Sequence, residues 1–252
     1  MFAVACLLTY IGSCLMLYVI LYAYYTCFRV YRCNFSRVLI VTAHPDDECM
    51  FFGPTINHFL GQQAKCRLLC LSSGNFYSMG EVRKKELINS CNILGLEKSA
   101  ITIIEDNNLD DDPNIEWHTN LIKEYVKKQV HNYSIDKIVT FDAYGVSGHR
   151  NHASVFQAIR LLKNSDEISK DIEILVLESK SCLTKYLSIF SLPFVLLNHL
   201  VTNSQLYISS PFEVLRTQRA MLKHWSQLMW FRVLYICLSQ YMIMNSVHVF
   251  EQ

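Results

Sequence analysis

The sequence predicts an α/β fold, a Rossmann-like, mainly parallel sheet with helices on both faces, preceded by one N-terminal transmembrane helix. Two observations carry that expectation. An uncharged run extends from Phe2 to about Tyr25, and from Val38 onward apolar, partly β-branched runs alternate with amphipathic ones. Composition agrees, since 252 residues with 51% hydrophobic and only 18% charged side chains are more apolar than an ordinary soluble domain and long enough for one catalytic-sized core.

The first element is the uncharged run, which at ~1.5 Å per residue spans a ~30 Å hydrocarbon layer. A cleaved signal peptide is its rival, but the run exceeds an h-region of ~7–15 residues and lacks a basic n-region. No Lys or Arg precedes it, whereas Arg29, Arg32 and Arg37 follow, so the positive-inside rule places the rest of the chain in the cytoplasm. Residues 1–28 are therefore expected to form an anchor, 29–180 the α/β core, and 181–252 an apolar and amphipathic segment packed on that core and at the membrane surface.

Within the core, Val38 to Thr42, Lys65 to Leu71, Ala100 to Ile104, Lys137 to Phe141 and Ile172 to Leu177 read as buried strands. Glu48 to Leu60, Glu81 to Leu94, Ile115 to Val130 and Arg150 to Leu162 read as the helices between them, with Gly61 and Gly95 as stops. Strands separated by helices imply right-handed crossovers. Beyond Leu177, Tyr186 to Val201 is nearly all apolar, but it is interrupted by Pro193 and short for a spanning helix. Glu213 to Tyr241 mixes Arg216, Arg219, Lys223 and Arg232 with Leu, Trp and Phe, which suits either a lipid interface or a core-packed helix with a solvated face.

A formal charge of +1 leaves no basic excess to hold a phosphate backbone, so nucleic acid is excluded as a partner. The ten cysteines fall largely inside apolar runs without paired zinc-site spacing, and read as reduced, mostly buried thiols.

Two clusters carry chemistry. Ala43-His44-Pro45-Asp46-Asp47-Glu48 follows the first strand directly, and Ser147-Gly148-His149-Arg150-Asn151-His152 follows the strand ending at Phe141. Asp46 or Asp47 could merely cap a helix, and a histidine pair is commonly just surface or core. Yet both clusters lie beyond the carboxyl ends of strands, where such sheets bind ligands. Two imidazoles and a carboxylate make a three-ligand zinc site with a position open for water, and a neighbouring carboxylate is placed to act as general base. No Gly-X-Ser-X-Gly elbow argues for a serine nucleophile.

These two motifs resemble those of the zinc-dependent deacetylases that act on N-acetylglucosaminyl conjugates. The likeness continues through Ser73-Gly74-Asn75, Gly80 to Leu87, Phe141 to His149 and Trp230-Phe231-Arg232. It is strongest to the eukaryotic branch whose substrate is the glycolipid N-acetylglucosaminyl-phosphatidylinositol, in the endoplasmic reticulum membrane. The resemblance implies that His44, Asp47 and His152 bind a divalent metal, Zn2+ above others, and that Asp46 is the base. His149 is implied to stabilise the oxyanion or serve as an acid, and Arg83 to contact substrate phosphate or sugar; a solvated helix residue is the plainer alternative for Arg83. A noncatalytic glycolipid-binding subunit and a deacetylase of another aminosugar conjugate are the rival functions.

Overall fold

The computed structural model describes residues 2–31, 36–112, 115–202 and 204–250. The five expected strands form as β1 (Arg37–Thr42), β2 (Lys65–Cys70), β3 (Ile101–Ile103), β4 (Lys137–Phe141) and β5 (Glu173–Leu177), each hydrogen-bonded in parallel to its neighbours. Val38, Leu39, Ile40 and Val41 are all fully buried, the unbroken burial of a strand covered on both faces rather than the alternation of a half-exposed one. Each such side chain contributes about 1.5–3 kcal/mol of burial.

Two strands escape a reading by apolar runs. β6 (Gln205–Ile208) and β7 (Met244–Val249) extend the sheet as antiparallel additions, giving the order β3-β2-β1-β4-β5-β7-β6. β6 is only four residues long, and Asn245, Ser246 and His248 interrupt the apolar pattern of β7. Asn245 is fully buried, yet its Oδ1 accepts from the Thr55 backbone N–H (3.1 Å) and hydroxyl (2.7 Å), so a polar residue sits in the core at no hydrogen-bonding loss.

The helices are α1 (Phe2–Tyr31), α2 (Asp47–Met50), α3 (Gly53–Gly61), α4 (Gly80–Leu94), α5 (Thr119–Tyr133), α6 (Gly145–Gly148), α7 (Arg150–Lys163), α8 (Cys182–Tyr186), α9 (Leu192–Thr202), α10 (Pro211–Met221) and α11 (Trp230–Leu238). The single helix expected over Glu48 to Leu60 is two, because Pro54 has no N–H to continue the first and is suited to begin the second. Likewise the stretch from Glu213 to Tyr241 is broken between α10 and α11 by a turn at Trp225–Gln227. Arg32 of the basic flank lies outside the described residues. Arg37 is paired with Asp136 at 2.7 Å.

Among the described residues α1 is the one helix long and apolar enough to cross a membrane, with mean hydropathy 2.3 over Val4–Tyr24 and only 6% burial. Its contacts are with the C-terminal segment: the Tyr10 hydroxyl donates to Phe190 O and the Tyr18 hydroxyl to Ser209 O, both at 2.7 Å. Leu17, Tyr18 and Leu21 pack against Leu192, Val195 and Leu206.

The chain builds outward through β1, β2 and β3, then returns to the other side of β1 with β4 and β5. That reversal opens a crevice beyond the carboxyl ends of β1 and β4, where the loops carrying both motifs meet.

Candidate active site

The turn after β1 is wound back on itself by a carboxylate. Asp47 Oδ2 accepts the Ala43 and His44 backbone N–H groups at 3.0 and 2.8 Å, which leaves Oδ1 facing His152 Nε2 at 3.3 Å. To make this turn Asp46 adopts φ 104°, a left-handed conformation that Asp and Asn tolerate better than other non-glycine residues. The result is that His44, Asp46 and Asp47 all reach one cavity.

The second loop is shaped with equal economy. His152, on the first turn of α7, holds Gly145 O at 3.0 Å through Nδ1, so its proton lies on Nδ1 and Nε2 is the basic nitrogen. Gly145 has φ 71°, and a Cβ there would lie 2.7 Å from His152 Cβ, so a side chain would displace His152. Val146, β-branched and yet at φ 63°, stores strain in this turn.

Around His44 the arrangement is similar. Its Nε2 lies 2.9 Å from Asp111 Oδ1 and its Nδ1 3.8 Å from Asp47 Oδ2. Asp111 in turn is held by Arg83 Nη1 at 2.6 Å. Carboxylate–imidazole pairs of this kind orient metal-binding histidines and raise their basicity.

Donor atoms of His44, Asp47 and His152 lie within 4.8 Å of one another, all in buried residues. His152 Nε2 is buried and receives no hydrogen bond. An unpartnered basic nitrogen beside a carboxylate and a second imidazole is what a divalent cation fits, and the donor chemistry suits zinc. Burial disfavours charge at both Asp47 and His152, but their mutual attraction outweighs it: the carboxyl is held well below its usual range and the imidazole above its own.

Asp46 and His149 flank these donors. Arg232 Nη1 ion-pairs with Asp46 Oδ2, and Arg83 Nη2 stands 3.7 Å from the same oxygen; Oδ1 takes no hydrogen bond from a described residue. His149 caps α7, its Nδ1 accepting the Asn151 N–H at 3.3 Å, which leaves the proton of the neutral ring on Nε2. Burial, with the His44 and His152 charges adding to it, lowers its pKa to about 4. At neutral pH it is an uncharged hydrogen-bond donor.

All five motif residues line one cavity of about 350 Å³, within the size range of small-molecule sites, ~300–1,000 Å³. Arg83 lines it too, and it is buried rather than solvated. Its guanidinium binds Gly74 O and Pro45 O at 3.0 and 2.9 Å as well as Asp111, and the close approach depends on Gly74, where a Cβ would fall 2.3 Å from Nη1.

Three contributors were given no role at the site by the sequence. Asp111 lies in the acidic run Asp110 to Asp112, and Arg232 was noted only as one cation of an amphipathic stretch and as part of Trp230-Phe231-Arg232. The third is a buried pair behind the site: Glu48 and His224, both fully buried, are 2.8 Å apart, and Glu48 Oε2 accepts the Asp46 N–H at 3.0 Å. Glu48 closes the first motif, which was a signal; His224 gave none.

Residues 39–162 match the family model described as GlcNAc-PI de-N-acetylase. The N-acetylglucosaminyl-phosphatidylinositol de-N-acetylase of Bos taurus is 43% identical over 213 residues, 84% of this chain and 83% of that one. Among solved structures, the N,N'-diacetylchitobiose deacetylase of Pyrococcus horikoshii superposes with a TM-score of 0.57 at 14% identity, covering 85% of this chain and 84% of its own. A teicoplanin deacetylase in its zinc-inhibited form gives 0.60 at 11% identity, covering 86% and 100%. At those identities the likeness is one of fold.

Proposed function

The chain belongs to the GlcNAc-PI de-N-acetylase family, and from that premise we propose that it hydrolyses the N-acetyl group of the glycolipid N-acetylglucosaminyl-phosphatidylinositol. The products are acetate and glucosaminyl-phosphatidylinositol, in a step of GPI-anchor biosynthesis. The observation that carries the chemistry is the buried His44–Asp47–His152 donor set with Asp46 and His149 on the same cavity.

His44, Asp47 and His152 would hold the metal, with zinc the best match to two imidazoles and a carboxylate. A cation bound there would supply Lewis acidity, lowering the pKa of water toward about 7. Asp46, its Oδ2 fixed by Arg232, takes the proton of the water that attacks the acetamide carbon. His149 Nε2–H donates to the carbonyl oxygen as it becomes an oxyanion, a role that suits a neutral imidazole better than acid catalysis does. When the C–N bond breaks, the proton held by Asp46 passes to the departing nitrogen. Arg83 borders the sugar as cavity wall, keeping Pro45 O and Asp111 in place.

Acetate release from N-acetylglucosaminyl-phosphatidylinositol by metal-stripped and zinc-restored protein tests this. Activity should vanish on stripping and return with zinc. Because the metal must displace a proton from His152, whose pKa is raised, affinity should hold above that pKa and fall as the pH drops through it. Full activity of metal-stripped protein would sink the reading, and zinc affinity independent of pH would remove His152 from the ligand set.

α1 serves in this reading as a single-pass anchor in the endoplasmic reticulum membrane, with the catalytic body in the cytoplasm. The described cysteines are all free thiols, which suits a reducing compartment. The exposed sequon at Asn132-Tyr133-Ser134 gives a test, since glycosyl transfer needs a lumenal site. Asn132 should stay unmodified, and protease added outside sealed microsomes should digest the body. A protected body with an endoglycosidase-sensitive mass shift at Asn132 would reverse the orientation.

A further inference from the structure

The mouth of the active-site cavity opens among side chains that the described residues leave uncovered. Tyr77 is 79% exposed and Tyr186 37%, and both line the cavity together with Phe231 and Lys185. Beside Phe231, Trp230 is 75% exposed and in ring contact with it at 5.9 Å. An aromatic rim of this kind around a polar, charged cavity is not explained by the chemistry inside it.

The apolar surface continues away from the mouth toward α1. α9 is apolar on two sides: Leu192 and Val195 are buried against the sheet, whereas Phe194, Leu197, Leu200 and Val201 form an outward stripe at helical spacing. An exposed apolar helix face opposite a buried one belongs in a core or in lipid, and no described residue buries this stripe. The short turn preceding α9 is itself tied to α1 by the Tyr10 to Phe190 hydrogen bond. Ring contact between Tyr186 and Tyr235 at 6.2 Å joins α8 to α11. One band therefore runs from the proposed spanning helix through α9 and α8 to the cavity mouth.

Charge indicates what covers it. From residue 181 to 242 the chain has Lys185, Arg216, Arg219 and Lys223, besides the Arg232 already paired with Asp46, against the single acid Glu213. Arg216, Arg219 and Lys223 are exposed and pair with no carboxylate among the described residues. Exposed aromatics and leucines flanked by cations are the features of an interfacial element on an anionic lipid surface.

We propose that the band formed by α8, α9 and α11 lies on the bilayer interface and seats the cavity mouth against the lipid headgroups. A lipid-linked sugar then reaches the donor cluster while its acyl chains remain in the membrane. The inference rests on the anchor reading only in that α1 brings a bilayer to this face. It adds a second, monotopic contact that fixes the height and tilt of the site, which one helix and a basic flank do not.

The tryptophans provide a direct test on the full chain. There are three; none is in α1, and Trp117 is buried at 3% exposure. In Trp225→Phe protein, Trp230 is then the single exposed reporter. Reconstituted into phosphatidylcholine/phosphatidylserine vesicles with brominated acyl chains, this protein should lose most of its Trp230 emission, and aqueous iodide should quench it little. The brominated-lipid effect should disappear in Trp225→Phe/Trp230→Phe protein. Iodide quenching without bromine quenching would overturn the proposal by leaving the face in water, open to a partner protein. Resistance to both quenchers would also overturn it, by showing that a second copy covers the face.

A paired activity measurement keeps this separate from the assignment of the reaction. Leu200→Ser/Val201→Ser should slow acetate release from long-chain substrate in vesicles severalfold while leaving a short-chain, water-soluble substrate unaffected. Equal losses on both substrates would mark these residues as structural and count against the lipid contact, whereas the activity of the unaltered protein tests the reaction itself.

Discussion

Asp46→Asn protein is expected to retain zinc at wild-type stoichiometry and to lose turnover by ~10²–10⁴-fold, the usual contribution of a general base. Asn is the substitution to use, for two reasons visible in the structure. The residue sits at φ 104°, where Asn is as well tolerated as Asp and Ala is not. Its Oδ2 accepts from Arg232, and an amide oxygen preserves that acceptor while removing the basicity. His44→Ala is the contrasting case, expected to lose metal and activity together, since it deletes a donor rather than a base. Near wild-type kcat in the Asn variant, with metal content verified, would take Asp46 out of the mechanism. Loss of metal in that variant would instead make Asp46 a ligand.

Why these residues were legible in the sequence, and others not, follows from how far apart the cooperating groups lie along the chain. His44, Asp46 and Asp47 share one turn and His149 and His152 another, and parallel-sheet topology alone puts both turns at the same crevice. β1, β4 and β5 were legible because a strand buried on both faces is apolar nearly throughout, whereas β3, expected to be buried, is a half-buried edge strand that showed itself only by its β-branched run. β6, only four residues long, and β7 were not, because the buried Ser246 hydroxyl has no partner among the described residues and Asn245 is satisfied only through partners elsewhere in the fold. Asp111, Arg232 and His224 belong to the same class. Each acquires its role from a contact across many residues, 67 for His44–Asp111 when counted from the two numbers and 186 for Arg232–Asp46. Local pattern reports what a segment needs to bury; it does not report which distant charge will arrive to neutralise it.

That distinction makes the Glu48–His224 pair the most consequential of the unread contacts for the fold. His224→Leu is expected to destabilise the protein by about 3–5 kcal/mol, the cost of breaking a buried ion pair by removing one member. Glu48 would be left fully buried with only the Ser90 hydroxyl and the Asp46 N–H as partners. The pH dependence has a definite sign. Burial opposes both charges, but pairing prevails, so the Glu48 pKa is lowered and that of His224 raised. The carboxylate's contribution is present above its unfolded pKa of ~4.3 and is lost as pH falls through the lowered folded value. That of the imidazole is fully present below its unfolded pKa of ~6.5 and is lost as pH rises through the raised folded value. Between those limits the gap between wild type and His224→Leu should be widest, and it should narrow on either side. Glu48→Gln/His224→Leu should recover much of the loss, because no unpaired charge then remains in the core. Denaturant unfolding of the three proteins in the same detergent, across that pH range, measures each quantity. A His224→Leu loss within about 0.5 kcal/mol, the range of ordinary surface substitutions, would show that the pair does not hold the C-terminal segment to the catalytic turn. Failure of the double variant to recover stability would place the loss in packing around His224 rather than in its charge.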